Sequence, residues 1–147
     1  MSALALQSAT VRRAGRVVLD AASLTVSAGE VVGVVGANGA GKTTLLRAAL
    51  GLATLDSGRA ELAGRDLAGL TDPERARLAA YLPQERHVGW NMSAARIVSL
   101  GALRLPPAAA SVAAEAALTR VGLAGFGARG VLELSGGERA RVLLARL

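Results

Sequence analysis

The sequence predicts an α/β domain that begins with short strands and continues into an inserted helical part. Three observations support this fold class. A β-branched run precedes a glycine-rich loop that opens a helix, short alternating apolar segments come before that run, and helical patterns dominate after residue 90. Strands come first, then a strand–loop–helix unit, then a helical region, and this order suits an α/β domain with an inserted helical part.

Composition supports a folded domain. The chain has 147 residues, of which 52% are hydrophobic and 2% aromatic, so its core must be built from leucine, valine and alanine. A charged fraction of 19% and a mean hydropathy of +0.40 exclude a disordered chain. There are no cysteines, so neither disulfides nor thiolate metal sites are expected.

The charge pattern favours a solvated basic surface over a nucleic-acid site. The net charge is +6, but the arginines are scattered, without a run of five or more basic residues. Lys42 is the only lysine in the chain. No stretch without charged side chains is longer than residues 31–41, which are about half of the ~20 residues that a membrane-spanning helix needs. The N-terminus lacks the leading basic region of a secretory signal.

Each predicted element follows from a local pattern. Alternation and turn residues predict short strands at 4–6, 17–19, 24–26 and 59–63. Residues 30–35 (EVVGVV) predict a strand buried on both faces, and 78–82 a strand stopped by Pro83. Helices are predicted at 43–50, from Thr71, at 93–100, at 111–121 after a break at Pro106 and Pro107, and from about Ser135.

The loop at residues 36–43 (GANGAGKT) matches the pattern G-x-x-x-x-G-K-[ST]. Its glycines let backbone N–H groups surround phosphate oxygens, and the helix that follows adds the positive end of its dipole. Lys42 would reach the β- and γ-phosphates, Thr43 would hold Mg²⁺, and Thr44 would donate to the α-phosphate. The candidate phosphate-binding residues are Gly36, Asn38, Gly39, Ala40, Gly41, Lys42, Thr43 and Thr44.

A second motif, residues 134–138 (LSGGE), opens the last predicted helix. A serine followed by two glycines at a helix start combines a hydroxyl, an open backbone and a dipole end, which together suit an anion. Alone, this motif would predict only a capped helix. With the phosphate loop upstream, it predicts a second contact with the same kind of ligand.

The combination resembles the ATP-binding cassette (ABC) family, the nucleotide-binding subunits of ABC transporters. Residues 36–44 are similar to its Walker A loop, residues 134–138 to its signature motif, and Gln84 in Tyr81-Leu82-Pro83-Gln84 to its Q-loop glutamine. The resemblance covers the whole chain. It implies a P-loop NTPase core with an antiparallel β part and a helical subdomain: residues 1–85 would carry the β part and Walker A core, and 86–147 the helical subdomain.

The resemblance also implies roles for these residues. In this family two subunits sandwich two ATP molecules head to tail, each between one Walker A loop and the partner's signature motif. Ser135 and Gly137, with Gly136 in the same motif, would bind the γ-phosphate held by the partner. Gln84 would contact Mg²⁺ and the attacking water and link them to transmembrane permease subunits. ATP and Mg²⁺ are the implied cofactors.

Two departures from the family pattern stand out. The aromatic residue that stacks on adenine is replaced by Arg13, whose guanidinium plane can stack on a base or can simply be solvated. The family's Walker B strand, catalytic glutamate and switch histidine would come after Leu147, which predicts a domain incomplete at its C-terminus. His87 precedes the signature motif and is interpreted as a surface residue.

Three functions remain open: the ATPase subunit of a transporter, a soluble ABC protein acting on ribosomes or DNA, and a nucleotide-binding fragment without turnover. The first predicts a peripheral protein on the cytoplasmic face of a bacterial-type membrane, attached only through its permease and not bound to nucleic acid. Residues 82–101 resemble importers of iron-siderophore, haem or cobalamin. Trp90 in this stretch is expected either to face the permease or to anchor the core.

Overall fold

The computed structural model describes residues 2–84 and 88–147. These residues form two compact units, the first ending at Ala80 and the second spanning Tyr81–Leu147. His87 lies outside the described residues.

An antiparallel sheet is the framework of the first unit. Its strands are β1 (Ser2–Arg13), β2 (Arg16–Ser27), β3 (Ser57–Leu62) and β4 (Arg65–Asp66), in the order β2-β1-β3-β4. Two-residue turns join β1 to β2 and β3 to β4. Both are Ala-Gly pairs with positive φ at each residue, as type I′ turns require. The predicted N-terminal antiparallel part is therefore confirmed, with longer strands than the sequence indicates.

Two helices and a 3₁₀ turn complete the first unit. They are α1 (Lys42–Ala49), the 3₁₀ turn Leu67–Gly69 and α2 (Asp72–Leu78). One face of α1 packs Ala48 and Ala49 into a core that includes Leu6, Val11 and Leu62 from β1 and β3. This packing holds the start of α1, and the loop before it, beside the sheet.

Two predicted strands are wrong. Residues 30–35 have no strand conformation, and Val31 and Val35 are 97% and 92% exposed. Residues 78–82 also form none, because α2 continues to Leu78 and the chain then runs irregularly. A valine-rich run favours a strand only where neighbouring strands supply hydrogen bonds and a face to pack on. Among the described residues neither segment pairs with a strand of the sheet.

The second unit is helical. It contains α3 (Ala94–Ser99), α4 (Pro107–Arg120) and α5 (Gly136–Ala145), with 3₁₀ turns at Leu100–Ala102 and Val131–Glu133. Its core is a separate apolar cluster with members from all three helices, including Ile97, Leu118 and Val142. The predicted start of α4 at residue 111 is wrong, because Pro107 occupies the first helical turn, where a missing N–H costs nothing.

Trp90 does not anchor the core, since its side chain is 77% exposed. Within the described residues, no single helix has the length and apolar character to cross a membrane, and only the bent pair Ala94–Ala102 and Pro107–Arg120 meets both criteria together.

Candidate functional site

The loop at residues 36–41 turns through glycine conformations. Gly36, Gly39 and Gly41 have φ values of +151°, +83° and +85°, a region that L side chains rarely adopt. The N–H of Ala40 donates to the carbonyl of Ala37 at 3.2 Å, which closes a tight turn inside the loop. The structure therefore explains why the motif needs glycine at these positions: glycine can adopt the positive φ values that let the backbone fold back on itself.

Strand β2 fixes the end of this loop. A Cβ atom on Gly41 would lie 2.7 Å from the carbonyl oxygen of Val18, closer than real Cβ contacts allow. The backbone of β2 thus abuts the residue that begins α1. Only glycine satisfies both this approach and the positive φ.

Lys42 folds back across the loop. Its Nζ donates to the carbonyl oxygens of Gly36 at 2.8 Å and Ala37 at 2.7 Å. These two bonds hold the ammonium group at the loop rather than in solvent. They place the only lysine of the chain where the sequence motif expects a phosphate contact.

The N-terminus of α1 is open to an anion. Its N-cap is Gly41, no side chain caps it, and its first turn contains no acidic residue. Among the described residues no group accepts from the N–H groups of Lys42, Thr43 or Thr44. Thr43 is exposed, whereas Thr44 is 8% exposed and packs with the buried face. Unpaired donors at the positive end of a helix suit phosphate oxygens.

The N-terminus of α5, by contrast, is closed by a capping box. The Ser135 hydroxyl oxygen accepts from the Glu138 N–H at 3.3 Å, and the Ser135 N–H donates to Oε2 of Glu138 at 2.8 Å. The helix predicted from about Ser135 is confirmed. The [ST]-x-x-E spacing that predicted the start of α2 at Thr71 also occurs at Ser135 and Glu138, and would have revealed this role of Glu138 in the sequence.

Gly136 and Gly137 stand on an open surface. A Cβ atom added to either would meet nothing within 4 Å, and neither has a positive φ. Packing therefore does not demand glycine here, although glycine costs about 1 kcal/mol relative to alanine in a helix. Because these two residues have no side chains, a ligand can approach the helix backbone closely at this point.

Basic side chains surround this turn. The Ser135 side chain and backbone hydrogen bonds lower the pKa of Glu138, and the charges of Arg129 and Arg141 lower it further. Arg129 is itself held with its guanidinium carbon 4.0 Å from the centre of the Phe126 ring. These two guanidinium groups offset the negative charge of Glu138 at the start of α5.

The structure brings together some of the predicted site residues. In the first unit, residues 36–44 form one continuous loop and helix start, and Arg13 is the exposed last residue of β1. In the second unit, Ser135, Gly136 and Gly137 form the first turn of α5, and Gln84 is exposed in irregular backbone.

Comparisons with known proteins agree with these motifs. Residues 19–147 match the family model described as ABC transporter. The chain is 41% identical over 140 residues to a cobalamin import ATP-binding protein of Halobacterium salinarum, covering 92% of this chain and 35% of that protein. It is 37% identical over 147 residues to a hemin import ATP-binding protein of Bordetella avium, covering 98% and 56%.

A solved structure shares the fold. The ADP conformation of an ATP-binding cassette of an ABC transporter superposes with a TM-score of 0.81 at 22% identity, covering 99% of this chain and 64% of that one. The chain thus spans part of the length of the proteins it matches. Since the family model matches most of the chain, and the two motifs occupy the loop and helix start described above, the chain belongs to the ABC transporter family.

Proposed function

We propose that this chain forms the nucleotide-binding part of the ATPase subunit of an ABC importer. The observation that carries the proposal is the loop at residues 36–41, where the Lys42 ammonium donates to the carbonyl oxygens of Gly36 and Ala37 and the following helix, α1, has an uncapped N-terminus. These cationic and N–H donors suit the β- and γ-phosphates of ATP. Arg13 would stack its guanidinium on the adenine.

Mg²⁺ would bind in the same loop through the exposed hydroxyl of Thr43. Mg²⁺ usually takes one or two protein oxygens, with phosphates and water as the remaining ligands. Among the described residues no cluster of acidic, histidine or cysteine side chains offers a dedicated metal cage. Bound Mg²⁺ would neutralise charge on the phosphates.

The whole protein would hydrolyse ATP as a head-to-tail dimer. The bare surface at Gly136 and Gly137 supports this, because a partner's γ-phosphate needs close access to the helix start. Ser135 would supply a hydroxyl there. Residues 1–147 alone contain no match to the family's Walker B segment, so we expect them to bind ATP with negligible turnover, and a rate of ~1–10² s⁻¹ would contradict this.

The transported substrate is proposed from the relatives. Proteins similar to this chain are named for cobalamin and hemin import, which favours an iron complex, haem or cobalamin. The subunit would then bind transmembrane permease subunits at the cytoplasmic face of a bacterial-type membrane, with no direct nucleic-acid partner.

Replacement of Lys42 tests the ATP site. Lys42→Ala should weaken ATP binding roughly tenfold to hundredfold, since each charge-assisted bond contributes on the order of 1.5–3 kcal/mol. Isothermal titration calorimetry measures this. Arg77→Ala, which removes an exposed cation from α2, should bind like the parent. Equal ATP affinity in the Lys42→Ala and parent chains would reject the site.

Replacement of Ser135 tests the dimer. Ser135→Arg should leave ATP binding by one subunit unchanged but block ATP-driven dimerisation, because the bulky side chain holds the two surfaces apart. Light scattering with and without ATP, beside calorimetry, separates the two effects. Normal dimerisation of Ser135→Arg, or loss of monomer binding, would reject contact with the partner's nucleotide.

A further inference from the structure

We propose that Thr10 is a positioning residue for the loop that binds phosphate, because its hydroxyl holds β2 in the bulged course that sets Val18 against Gly41. This role depends on the proposed ATP site at residues 36–44. It gives a side chain of the N-terminal sheet a part in nucleotide binding without any contact between that side chain and the nucleotide.

Extra residues in β2 interrupt its pairing with β1. From Ala9 to Val11, β1 advances by two residues, while the paired positions on β2 advance by three, from 22 to 19. From Val11 to Arg12, β1 advances by one residue and β2 by two, which leaves Val18 as an extra residue between paired ones. Such extra residues are β-bulges, which bend a strand and are frequent beside binding sites.

The bulge at Val18 abuts the loop. Its carbonyl oxygen would lie 2.7 Å from a Cβ atom on Gly41, so the backbone of β2 touches the residue that begins α1. The next residue, Lys42, is the one whose ammonium group donates back to the loop. A shift of β2 at Val18 would therefore move one support of the phosphate-binding backbone.

The hydroxyl of Thr10 holds the neighbouring bulge. Ala21 lies between the paired positions 19 and 22 and has a φ of +41°, a left-handed conformation that alanine rarely adopts. Its N–H donates to Oγ1 of Thr10 at 3.1 Å. Because a residue in such a conformation persists only where its surroundings hold it, this hydrogen bond helps to fix β2 three residues after Val18.

Thr10 is anchored on its other side. Its carbonyl oxygen accepts from the Asp56 N–H at 2.9 Å, and it pairs with Ser57 at the start of β3. Oδ2 of Asp56 also accepts from the Arg12 N–H at 2.6 Å. The hydroxyl therefore belongs to a backbone that is fixed independently of β2, so it can hold β2 in place.

The test measures nucleotide affinity in variants of the 147-residue chain. Calorimetry with Mg²⁺ and the non-hydrolysable analogue AMP-PNP gives the affinity, and urea denaturation gives the stability. Thr10→Val keeps the branched shape but removes the acceptor, and should weaken AMP-PNP binding roughly threefold to tenfold, the size of one hydrogen bond. Thr10→Ser retains the hydroxyl and should bind like the parent. A residue that only stabilised the fold would change the urea midpoint and leave the affinity unchanged.

The chain supplies a matched control. Oγ of Ser23 accepts at 3.0 Å from the N–H of Ser8, another non-glycine residue with a positive φ. This bond also joins β1 to β2, but it lies further along β2 from Val18, so Ser23→Ala should bind AMP-PNP like the parent.

A second pair of variants covers a Thr10→Val chain that does not fold. Glycine adopts positive φ values readily, so Ala21→Gly relieves the left-handed position and supports the fold. Thr10→Val combined with Ala21→Gly still lacks the hydroxyl, and should bind AMP-PNP roughly threefold to tenfold more weakly than Ala21→Gly alone.

The outcomes separate the role of Thr10 from the proposed function. Parent-like affinity of Thr10→Val would overturn the role and leave the ATP site standing. An equal loss in Ser23→Ala would overturn it by indicating a general loosening of the sheet, as would a Thr10→Ser variant as weak as Thr10→Val. A parent chain that does not bind AMP-PNP would reject the ATP site and the role of Thr10 with it.

Discussion

At the scale of single residues, Gly41 is the most constrained position in the loop. It combines a φ of +85° with the carbonyl oxygen of Val18 directly behind its Cα. Gly39, two residues earlier, has nearly the same φ of +83° but open space around it. An alanine at Gly39 would therefore carry only the cost of the left-handed backbone, whereas an alanine at Gly41 would also carry the cost of a steric clash.

Alanine substitutions make that separation measurable. Gly39→Ala should lower the free energy of unfolding by about 1–2 kcal/mol, the cost of a left-handed L residue. Gly41→Ala should lower it further, because the Val18 carbonyl belongs to the backbone of β2 and cannot rotate away as a side chain would. Urea denaturation followed by circular dichroism measures both. Equal losses would contradict the close approach of β2.

The candidate phosphate residues were readable from the sequence because they are neighbours along it. Lys42 and the loop glycines act within a few residues of each other, so the motif contains nearly the whole geometry. The contact between Gly41 and Val18 could not be predicted, since it joins residues from a strand and a distant loop. The capping role of Glu138 could also have been predicted, because Glu138 follows Ser135 at the three-residue spacing of a capping box.

At the scale of elements, the start of α2 is the most strongly capped. Glu74 accepts from the N–H and hydroxyl of Thr71, and its Oε1 lies 2.8 Å from a guanidinium nitrogen of Arg65. The Arg65 hydrogen bond, followed by those from Thr71, lowers the pKa of Glu74 from its ordinary value of 4.5 to about 2. One carboxylate thus links β4 to α2.

Acid should remove this contribution. Because the pKa of Glu74 is lower in the folded chain than in the unfolded chain, its stabilising effect is present above about pH 4.5 and is lost as the pH falls towards 2. The difference in unfolding free energy between the parent and Glu74→Gln should therefore shrink over that range. Urea titrations at pH 7, 4 and 2.5 measure it, and a difference independent of pH would contradict the assignment.

Local signals predicted the helices better than the strands. Capping at Thr71, Ser93 and Ser135 acts within one turn, so the helix starts there are confirmed. The segments at 30–35 and 78–82 carry strand patterns, but a strand forms only with a neighbour that pairs with it. Which segment pairs with a strand depends on residues elsewhere in the chain, so the apolar pattern of the strand itself cannot predict it.

At the scale of the whole molecule, the two units have separate cores. One apolar cluster includes Leu6, Ala9 and Val11, the other Leu118, Leu123 and Val131, and no residue that the structure describes belongs to both. The family resemblance predicted this composition of a β part and a helical part, since the motifs fall in different units. The extent of each core depends on packing that the motifs do not describe.

Core truncation should therefore act locally. Leu118→Ala removes a fully buried side chain, at 0% exposure, and should cost about 2–5 kcal/mol in the second unit. Amide hydrogen exchange should accelerate in α3, α4 and α5 and change little in β1, β2 and β3. Leu6→Ala should produce the opposite pattern. Uniform acceleration throughout both units in either variant would contradict two separate cores.

The distribution of aromatic residues gives the molecule a built-in optical asymmetry. Tyr81, Trp90 and Phe126 all belong to the second unit, so the unit that carries Lys42 neither absorbs near 280 nm nor fluoresces. The fluorescence of a nucleotide analogue bound in the loop would not overlap with protein fluorescence from the first unit. Any change in Trp90 emission when ATP is added would therefore report on the second unit alone.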